Sequence, residues 1–249
     1  MTMSNIRVLS GSTGNEIKNR EEFVSMLKNS PIPADEILSN LGLYLNRQTL
    51  SRILFMNDLY KRIVNIHGVV MEFGVRWGQN LSLFSSFRGM YEPYNYNRKI
   101  IGFDTFEGFP NVDEKDGERV SKGDYSVTSG YQDYLDAVLQ YHQSESPIPH
   151  KKKYELVRGD ATVTIHEYLA RHPETIVSLA YFDFDIYKPT KVCLEAIKPH
   201  LTKGSILAFD ELNFESFPGE TIALREVLGI NNYTICRDPF NPLCSFIVF

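Results

Sequence analysis

Cysteine is scarce in this sequence. The 249 residues contain 3 cysteines, Cys193, Cys236 and Cys244, and none of them belongs to a Cys-x-x-Cys pair. So few and so scattered cysteines exclude a disulfide framework and favour a reducing compartment.

Long apolar runs and an excess of positive charge are also absent. No apolar stretch reaches the roughly 20 residues that a membrane span requires, and residues 1–16 lack the hydrophobic core of a signal peptide. The 26 basic and 31 acidic residues give a formal net charge of −5, whereas a duplex DNA-binding protein needs a clustered basic face. We therefore expect a soluble, cytoplasmic protein that binds neither nucleic acid nor membrane.

Short apolar runs that alternate with helical stretches dominate the chain from residue 67. The predicted strands are 69–73, 100–103, 154–157, 176–182 and 205–209, and the helices between and after them are 79–89, 162–170, 190–200 and 220–228. Continuous apolar runs are typical of strands that are covered on both faces. Repeated βα units predict an α/β fold with a doubly wound, Rossmann-like and mostly parallel sheet.

Both ends of the chain depart from this pattern. Residues 233–236 and 245–249 are joined by a turn-rich link and predict a C-terminal antiparallel hairpin, which resembles the class I methyltransferase fold. Residues 1–16 predict a mobile arm, and residues 20–66 have helical spacing. We divide the chain into 1–66, an arm with a helical cap, and 67–249, the α/β domain. The cap is alternatively a contact between subunits.

A long segment, 105–153, interrupts the βα rhythm. It lies between two predicted core strands and is rich in acidic residues, serine, tyrosine and glycine. Insertions of this length in compact domains are uncommon unless they form a lid or a binding loop, or are disordered. We expect a lid with a short helix at 131–141.

A glycine turn follows the first predicted strand. The block runs from Glu72 through Gly74 to Gly78 with the spacing Glu-x-Gly-x-x-x-Gly, which differs from the dinucleotide fingerprint Gly-x-Gly-x-x-Gly. Glu72 would repel a pyrophosphate but accept hydrogen bonds from an ammonium group. This favours S-adenosylmethionine, although a glycine turn without a ligand is the alternative.

Carboxylates also end the second and third predicted strands. Asp104 ends the strand next to the glycine turn, where nucleoside-binding α/β folds hold ribose hydroxyls. Asp160 is a candidate contact for the adenine amino group or, equally, a cap of the following helix. We assign Thr105 and Phe106, which follow Asp104, to the cofactor site as well.

Four acids cluster at the ends of the fourth and fifth predicted strands. Asp183 and Asp185 follow one strand and would point the same way in an extended segment, while Asp210 and Glu211 follow the next. Converging carboxylates repel one another unless a cation or protons neutralise them, and an oxygen-only set suits Mg²⁺, Mn²⁺ or Ca²⁺ better than zinc. The alternative is that these acids cap helices. We assign Asp183, in the middle of the cluster, as the proton acceptor of the reaction and as a contact of the cofactor.

Together these motifs resemble the TylF/MycF-type macrocin O-methyltransferases. The resemblance covers residues 69–229 and includes the Asp104-Thr-Phe-Glu-Gly block, the Asp183-Phe-Asp-Ile-Tyr block, and 209–211 and 218–220. It implies an S-adenosylmethionine-dependent and usually Mg²⁺-dependent enzyme that methylates sugar hydroxyls. It also implies cofactor contacts at Glu72, Gly74, Asp104 and Asp160, and metal ligands at Asp183, Asp210 and Glu211. Two departures stand out: the turn reads Arg76-Trp77, where the family more often has the aromatic residue first, and Glu211 replaces the common aspartate.

From these observations we expect an O-methyltransferase that acts on a sugar, a nucleotide-linked sugar or a glycosylated natural product and that forms homo-oligomers. Two alternatives remain, a nicotinamide-dependent oxidoreductase and a non-catalytic binding protein. His142 is a candidate base within the lid, the alternative being an ordinary surface histidine. Tyr91, Tyr94 and Tyr96 suit sugar stacking, a rigid surface loop or a subunit contact. Trp77 suits shielding of the cofactor and, equally, ordinary packing.

Overall fold

The computed structural model describes residues 6–249, and within that range seven strands form a single sheet in the order β3-β2-β1-β4-β5-β7-β6. The strands are β1 (Val69–Phe73), β2 (Ile100–Asp104), β3 (Tyr154–Arg158), β4 (Val177–Phe182), β5 (Leu201–Phe209), β6 (Cys236–Arg237) and β7 (Ser245–Val248). The first five strands pair in parallel, and β7 runs antiparallel to both β5 and β6. The prediction of a mostly parallel sheet with a closing antiparallel hairpin is confirmed.

Helices cover both faces of the sheet. They are α1 (Gly14–Lys28), α2 (Arg47–Ile63), α3 (Gln79–Tyr91), α4 (Tyr131–Glu145), α5 (Ala161–Arg171), α6 (Tyr187–Ile197) and α7 (Gly219–Val227), with short 3₁₀ turns at Leu38–Tyr44, Glu114–Asp116 and Lys198–His200. Side chains alternate between the two faces along each strand. Val70 packs with α2, α3 and α4, whereas the adjacent Met71 packs with α5, α6 and α7.

One row of phenylalanines crosses the sheet where four parallel strands end. Phe73 pairs in register with Phe103 on one side and with Phe182 on the other, and Phe182 pairs with Phe209. Neighbouring rings stack with centroid distances of 4.7 to 5.2 Å. Because the four phenylalanines are paired in register, the residues that follow them lie side by side along the same edge of the sheet.

The N-terminal part of the chain packs unevenly. Helix α2 buries five side chains against the sheet, whereas α1 and the turn Leu38–Tyr44 bury none. Residues 1–5, part of the predicted arm, lie outside the described residues. Arg7 contacts the 105–153 segment, where its guanidinium lies 3.3 Å from Asp124 and its carbonyl accepts a hydrogen bond from the Tyr125 amide.

A buried arginine fixes the end of α2 to the sheet. Arg98 donates hydrogen bonds to the carbonyl oxygens of Ile63 and Gly68 and forms an ion pair with Glu92 at 2.9 Å. A buried guanidinium is tolerated only when its donors are paired, and here the paired donors join helix, strand and loop. The C-terminal end of α2 is thereby fixed at the amino ends of β1 and β2, while Arg52, near the other end of the helix, lies at the carboxyl ends of the strands.

Several predicted boundaries differ from the structure. Helix α1 begins at Gly14 rather than near residue 20, because Thr13 and Glu16 form a capping box. Helix α6 begins at Tyr187 rather than at 190, since Pro189 lies in the first turn, where its missing N–H costs nothing. Strand β5 begins earlier, at Leu201, in an exposed stretch, and β6 is shorter than the predicted 233–236 segment and shifted beyond it.

Candidate active site

A cavity of about 390 Å³ opens at the carboxyl ends of the parallel strands. It lies over β1 and β4, where the strand order reverses, which is where open α/β sheets bind their ligands. Its volume is within the range of roughly 300 to 1,000 Å³ that small-molecule sites occupy. The glycine turn, the 105–130 loop, Arg52 of α2 and the acids that follow β2, β4 and β5 line it.

The glycine turn forms one wall of the cavity. Gly74 has φ +94°, and a Cβ there would lie 2.6 Å from the carbonyl carbon of Asp183. Gly78 has φ +77°, begins α3, and lies against the side chain of Leu135. Gly74 therefore requires glycine for conformation and for space, and Gly78 requires it for conformation. The predicted residues Gly74 and Gly78 both line the cavity.

Asp104 holds the glycine turn in place. Its Oδ2 accepts hydrogen bonds from the backbone N–H groups of Val75 and Arg76, both at 2.7 Å, and its Oδ1 accepts one from Phe106. Burial raises the pKa of Asp104, and the three backbone N–H groups oppose that rise. Because a carboxylate oxygen can accept two hydrogen bonds, Oδ1 retains capacity for a ligand hydroxyl.

The other predicted cofactor residues divide into two groups. Asp160 and Thr105 line the cavity, although Asp160 also caps α5 through Thr162, so both roles proposed for it are compatible with the geometry. Phe106 lies in a neighbouring cavity of about 360 Å³. Glu72 is 1% exposed and lies beneath the cavity lining, where its Oε2 has no hydrogen-bond partner among the described residues.

The acids that follow β4 and β5 converge in the cavity, as the row of phenylalanines requires. Asp183 follows Phe182, Asp210 follows Phe209, and Asp185 and Glu211 also line the cavity. The explanation that Asp183 and Asp185 alternate in an extended strand is wrong, because β4 ends at Phe182 and Asp185 has a left-handed φ of +64°. A turn, rather than the period of two, brings Asp185 to the site.

Arg52 enters this acidic cluster from α2 and was not predicted. Its Nη2 lies 2.7 and 2.8 Å from the two carboxylate oxygens of Asp210, and its Nη1 lies 3.4 Å from Asp183. Asp210 also accepts hydrogen bonds from the Tyr181 hydroxyl and the Cys244 thiol. The signal in the sequence is a charged residue adjoining the apolar stripe of α2, since a charge that faces a core needs a partner.

The electrostatic environment lowers the pKa of Asp210 and raises the pKa of Asp183 and Glu211. Burial opposes ionisation of Asp210, but Arg52 and the bonds from Tyr181 and Cys244 hold its pKa below the usual range. Burial and the neighbouring Asp210 raise the pKa of Asp183 to about 7, although Arg52 and Arg76 oppose the rise. Burial, with Asp210 and Asp183, raises the pKa of Glu211 to about 8. Crowded carboxylates thus favour taking up a proton or a cation.

Glu220, at the start of α7, is hydrogen-bonded to both of the loops that follow β4 and β5. Its carboxylate accepts backbone N–H bonds from Phe184 and Asp185 at 3.3 and 3.4 Å, and from Glu211 at 3.4 Å. The side chain is fully buried, and burial raises its pKa well above the usual value. Glu220 lay within the 218–220 block of the sequence resemblance, and the structure gives it a positioning role.

The 105–153 segment forms a third wall. Phe109, Pro110 and Tyr125 from its first half line the cavity, whereas its helix α4 packs against α3 and β3. Asp116 anchors the segment to the core by accepting a hydrogen bond from the backbone N–H of Tyr187. His142 lies on α4 and does not line the cavity.

The remaining aromatic candidates also take defined places. Tyr91 stacks on Tyr60 and donates to Asn57, outside the cavity, and Tyr94 and Tyr96 are exposed. Trp77 lines the cavity and meets the Tyr131 ring edge-on at 4.7 Å.

Sheet order, glycine turn and cavity define a class I S-adenosylmethionine-dependent methyltransferase. Two solved structures of CalS11 cover 99% of this chain. The first, described as a calicheamicin methyltransferase, has 42% identity, a TM-score of 0.93 and 97% of its own chain covered. The second, described as a TDP-rhamnose 3′-O-methyltransferase, has 40% identity, a TM-score of 0.86 and 99% of its own chain covered. The O-methyltransferase NovP, with 16% identity, a TM-score of 0.60 and coverage of 80% of this chain and 79% of its own, shares the fold. No family model and no curated protein sequence matches the chain.

At this level of identity over nearly the whole length, the chain belongs to the TylF/MycF-type sugar O-methyltransferases. It is an S-adenosylmethionine-dependent O-methyltransferase. The two alternatives, a nicotinamide-dependent oxidoreductase and a non-catalytic binding protein, are set aside by this membership. Within the described residues, no helix is long and apolar enough to cross a membrane.

Proposed function

We propose that the chain methylates a hydroxyl of a nucleotide-linked sugar, with Asp183 accepting the proton of that hydroxyl. The convergence of Asp183 and its neighbouring acids beside the glycine turn carries this proposal. The similarity to a protein described as a TDP-rhamnose 3′-O-methyltransferase supports a nucleotide-linked acceptor over a finished glycoside. S-adenosylmethionine, when bound, supplies the activated methyl group.

The residues that line the cavity have different roles in the proposed reaction. Gly74, Gly78, Asp104 and Asp160 bind and orient the cofactor, because they line the cavity at the carboxyl ends of β1, β2 and β3. Asp183 accepts the proton while the acceptor oxygen forms its bond to the methyl carbon and the bond from that carbon to sulfur breaks. Phe109 and Tyr125 close the cavity from the lid side and exclude water, which strengthens the electrostatic interactions inside it.

The predicted Mg²⁺ is a further part of the proposal. Among residues 6–249, no three acidic, histidine or cysteine side chains stand together as a ready metal site. The oxygen-only donor set and the buried Oε2 of Glu211, which has no hydrogen-bond partner in the part of the chain that the structure describes, nevertheless fit such an ion. Asp183, Asp210 and Glu211 would hold it once Arg52 releases Asp210. A divalent ion there would lower the pKa of the acceptor hydroxyl.

Arg52 therefore competes with a divalent cation for Asp183 and Asp210. We expect Arg52→Ala to raise the affinity for Mn²⁺ by at least about tenfold, because a positive charge near the site is removed. Electron paramagnetic resonance of added Mn²⁺ measures this without turnover. Arg62→Ala is the matched control, since Arg62 pairs with Asp58 on the exposed side of the same helix. Equal Mn²⁺ affinity in wild type and Arg52→Ala would contradict the competition.

Full turnover after chelation would refute the Mg²⁺ requirement.

The acceptor class is tested by offering paired substrates. Mass spectrometry follows methyl transfer to TDP-linked 6-deoxyhexoses, the same sugars without the nucleotide, and glycosides that carry them. We expect kcat/KM to be at least about tenfold higher for the nucleotide-linked sugar, the gain from one well-made charged contact. A preference for glycosides would overturn the proposed substrate class but leave the methyltransferase assignment intact.

We also propose that the chain forms homo-oligomers in the cytoplasm. The support is an apolar surface on α1 and Leu38–Tyr44, where Val24, Met26, Leu38 and Leu43 are 48% to 76% exposed and neither element buries a side chain. Exposed apolar surface of this kind marks association sites. Light scattering of the wild type should give a multiple of 28.6 kDa. Leu38→Glu together with Leu43→Glu should reduce it, and a monomeric wild type would end this proposal.

A further inference from the structure

The cavity contains an arginine, Arg76, that has no acidic partner among the described residues. Arg76, in the glycine turn, lines the cavity, and within residues 6–249 its side-chain Nε has no hydrogen-bond partner. Its Nε is buried. Arg52, the other arginine in the lining, is by contrast fully engaged with Asp183 and Asp210. Burying part of a guanidinium without a partner is costly, so a ligand that supplies the partner recovers that cost.

Backbone and side-chain contacts hold Arg76 in a defined orientation. Its φ is +48°, an uncommon conformation for a residue other than glycine. The backbone N–H donates to Oδ2 of Asp104 at 2.7 Å, which keeps the residue in that conformation. The guanidinium carbon lies 5.1 Å from the ring centroid of Tyr125 and 5.9 Å from that of Trp77. Aromatic faces position a cation and leave its N–H edge free to donate.

The position is unusual for this cavity, whose other charged groups are mostly acids. Among the described residues Arg52 forms the ion pairs with Asp183 and Asp210, and no carboxylate lies within ion-pair distance of the Arg76 guanidinium. Its planar donor edge matches an oxyanion, either carboxylate or phosphate, in two parallel hydrogen bonds.

We propose that Arg76 binds an oxyanion of a ligand in this cavity. This inference rests on the proposed function, which offers two sources of that chemistry. One is the carboxylate at the amino-acid end of S-adenosylmethionine, and the other is the diphosphate of a nucleotide-linked acceptor. Tyr125 belongs to the 105–153 segment and Trp77 to the glycine turn, so Arg76 lies between that segment and the turn.

Calorimetry on the full chain separates the two sources. In Arg76→Gln, loss of the cofactor contact predicts an affinity for S-adenosylmethionine that is about 10- to 100-fold weaker, with no change for decarboxylated S-adenosylmethionine. Loss of the acceptor contact instead predicts unchanged cofactor binding. It predicts a similar loss for TDP and inorganic pyrophosphate, titrated in the presence of S-adenosylhomocysteine. Arg76→Lys should recover only part of either loss, because the paired donors are gone.

The control is Arg158→Gln, which removes the same side chain at the end of β3, where it is exposed and paired with Glu107 outside this cavity. Thermal melting confirms that both variants fold. The inference is overturned if Arg76→Gln binds S-adenosylmethionine, TDP and pyrophosphate all within twofold of the wild type. None of these titrations requires turnover, so a failure to methylate nucleotide-linked sugars is a separate result.

Discussion

Asp183→Asn is expected to lower the rate of methyl transfer by about 10²- to 10⁴-fold, the usual contribution of a positioned proton acceptor. An amide of the same size cannot take the proton of the acceptor hydroxyl. Asp183 is suited to this step because its side chain is 26% exposed to the cavity and its pKa is raised, by burial and then by Asp210, to about 7. Asp210 is less suited, since Arg52 and hydrogen bonds hold its pKa low.

The measurement separates proton acceptance from ligand binding. Single-turnover rates at saturating S-adenosylmethionine report the chemical step, and calorimetry reports cofactor affinity, which should change by less than about tenfold. Asp185→Asn, in the same loop, is the matched control and should retain most of the rate, because Asp185 is more deeply buried than Asp183. If Asp183→Asn retains more than a tenth of the wild-type rate, Asp183 is not the base.

The placement of the acids was predictable because it follows from a repeat in the sequence. Phe-Asp occurs at the end of β2, β4 and β5, as Phe103-Asp104, Phe182-Asp183 and Phe209-Asp210. Apolar runs identify the strands, and parallel strands in level register bring their ends to one edge. The apolar pattern of each strand agrees with the topology of the sheet, so the pattern alone was sufficient to place these acids at one edge.

The partners of those acids were not predictable in the same way. Arg52 lies 158 residues before Asp210 along the chain, and only the packing of α2 on the sheet brings the two together. Asp104 looked like a ribose ligand from its position, but the structure shows that it also clamps the glycine turn. Long-range polar contacts depend on side-chain geometry that no local period encodes. The left-handed residues Arg76 and Asp185 were missed for the same reason.

Arg98 shows how the fold supports the position of Arg52. Its buried hydrogen bonds join the end of α2, the loop before β1 and Glu92 after α3. The N-terminal segment, which the sequence presented as an addition, therefore contributes a rigid element to the site. Of its helices, α2 is packed against the sheet and carries Arg52, whereas α1 has no buried residue.

Gly74→Ala is the second change with a large expected effect, and it should affect both the stability of the fold and the binding of the cofactor. A methyl group at Gly74 would fall on the peptide group of Asp183, 2.6 Å from its carbonyl carbon, and the backbone would keep a φ of +94° that alanine disfavours. Rigid backbone lies on both sides, since the Asp183 N–H donates to the Phe73 carbonyl at 2.8 Å. We expect a loss of about 4 kcal/mol or more in the free energy of unfolding, in the range of severe strain and overpacking.

Gly89→Ala is the matched control for this loss. Gly89 lies in α3, which the same glycine turn opens, and a Cβ there meets no atom within 4 Å. Alanine in a helix interior should instead stabilise by about 0.5 to 1 kcal/mol. Urea unfolding measures both variants, and calorimetry with S-adenosylmethionine measures the site. Since the strain in Gly74→Ala can relax only by moving Asp183, loss of cofactor binding and of turnover should accompany it. A Gly74→Ala protein as stable and active as the wild type would mean that the backbone of Gly74 does not pack this closely against that of Asp183.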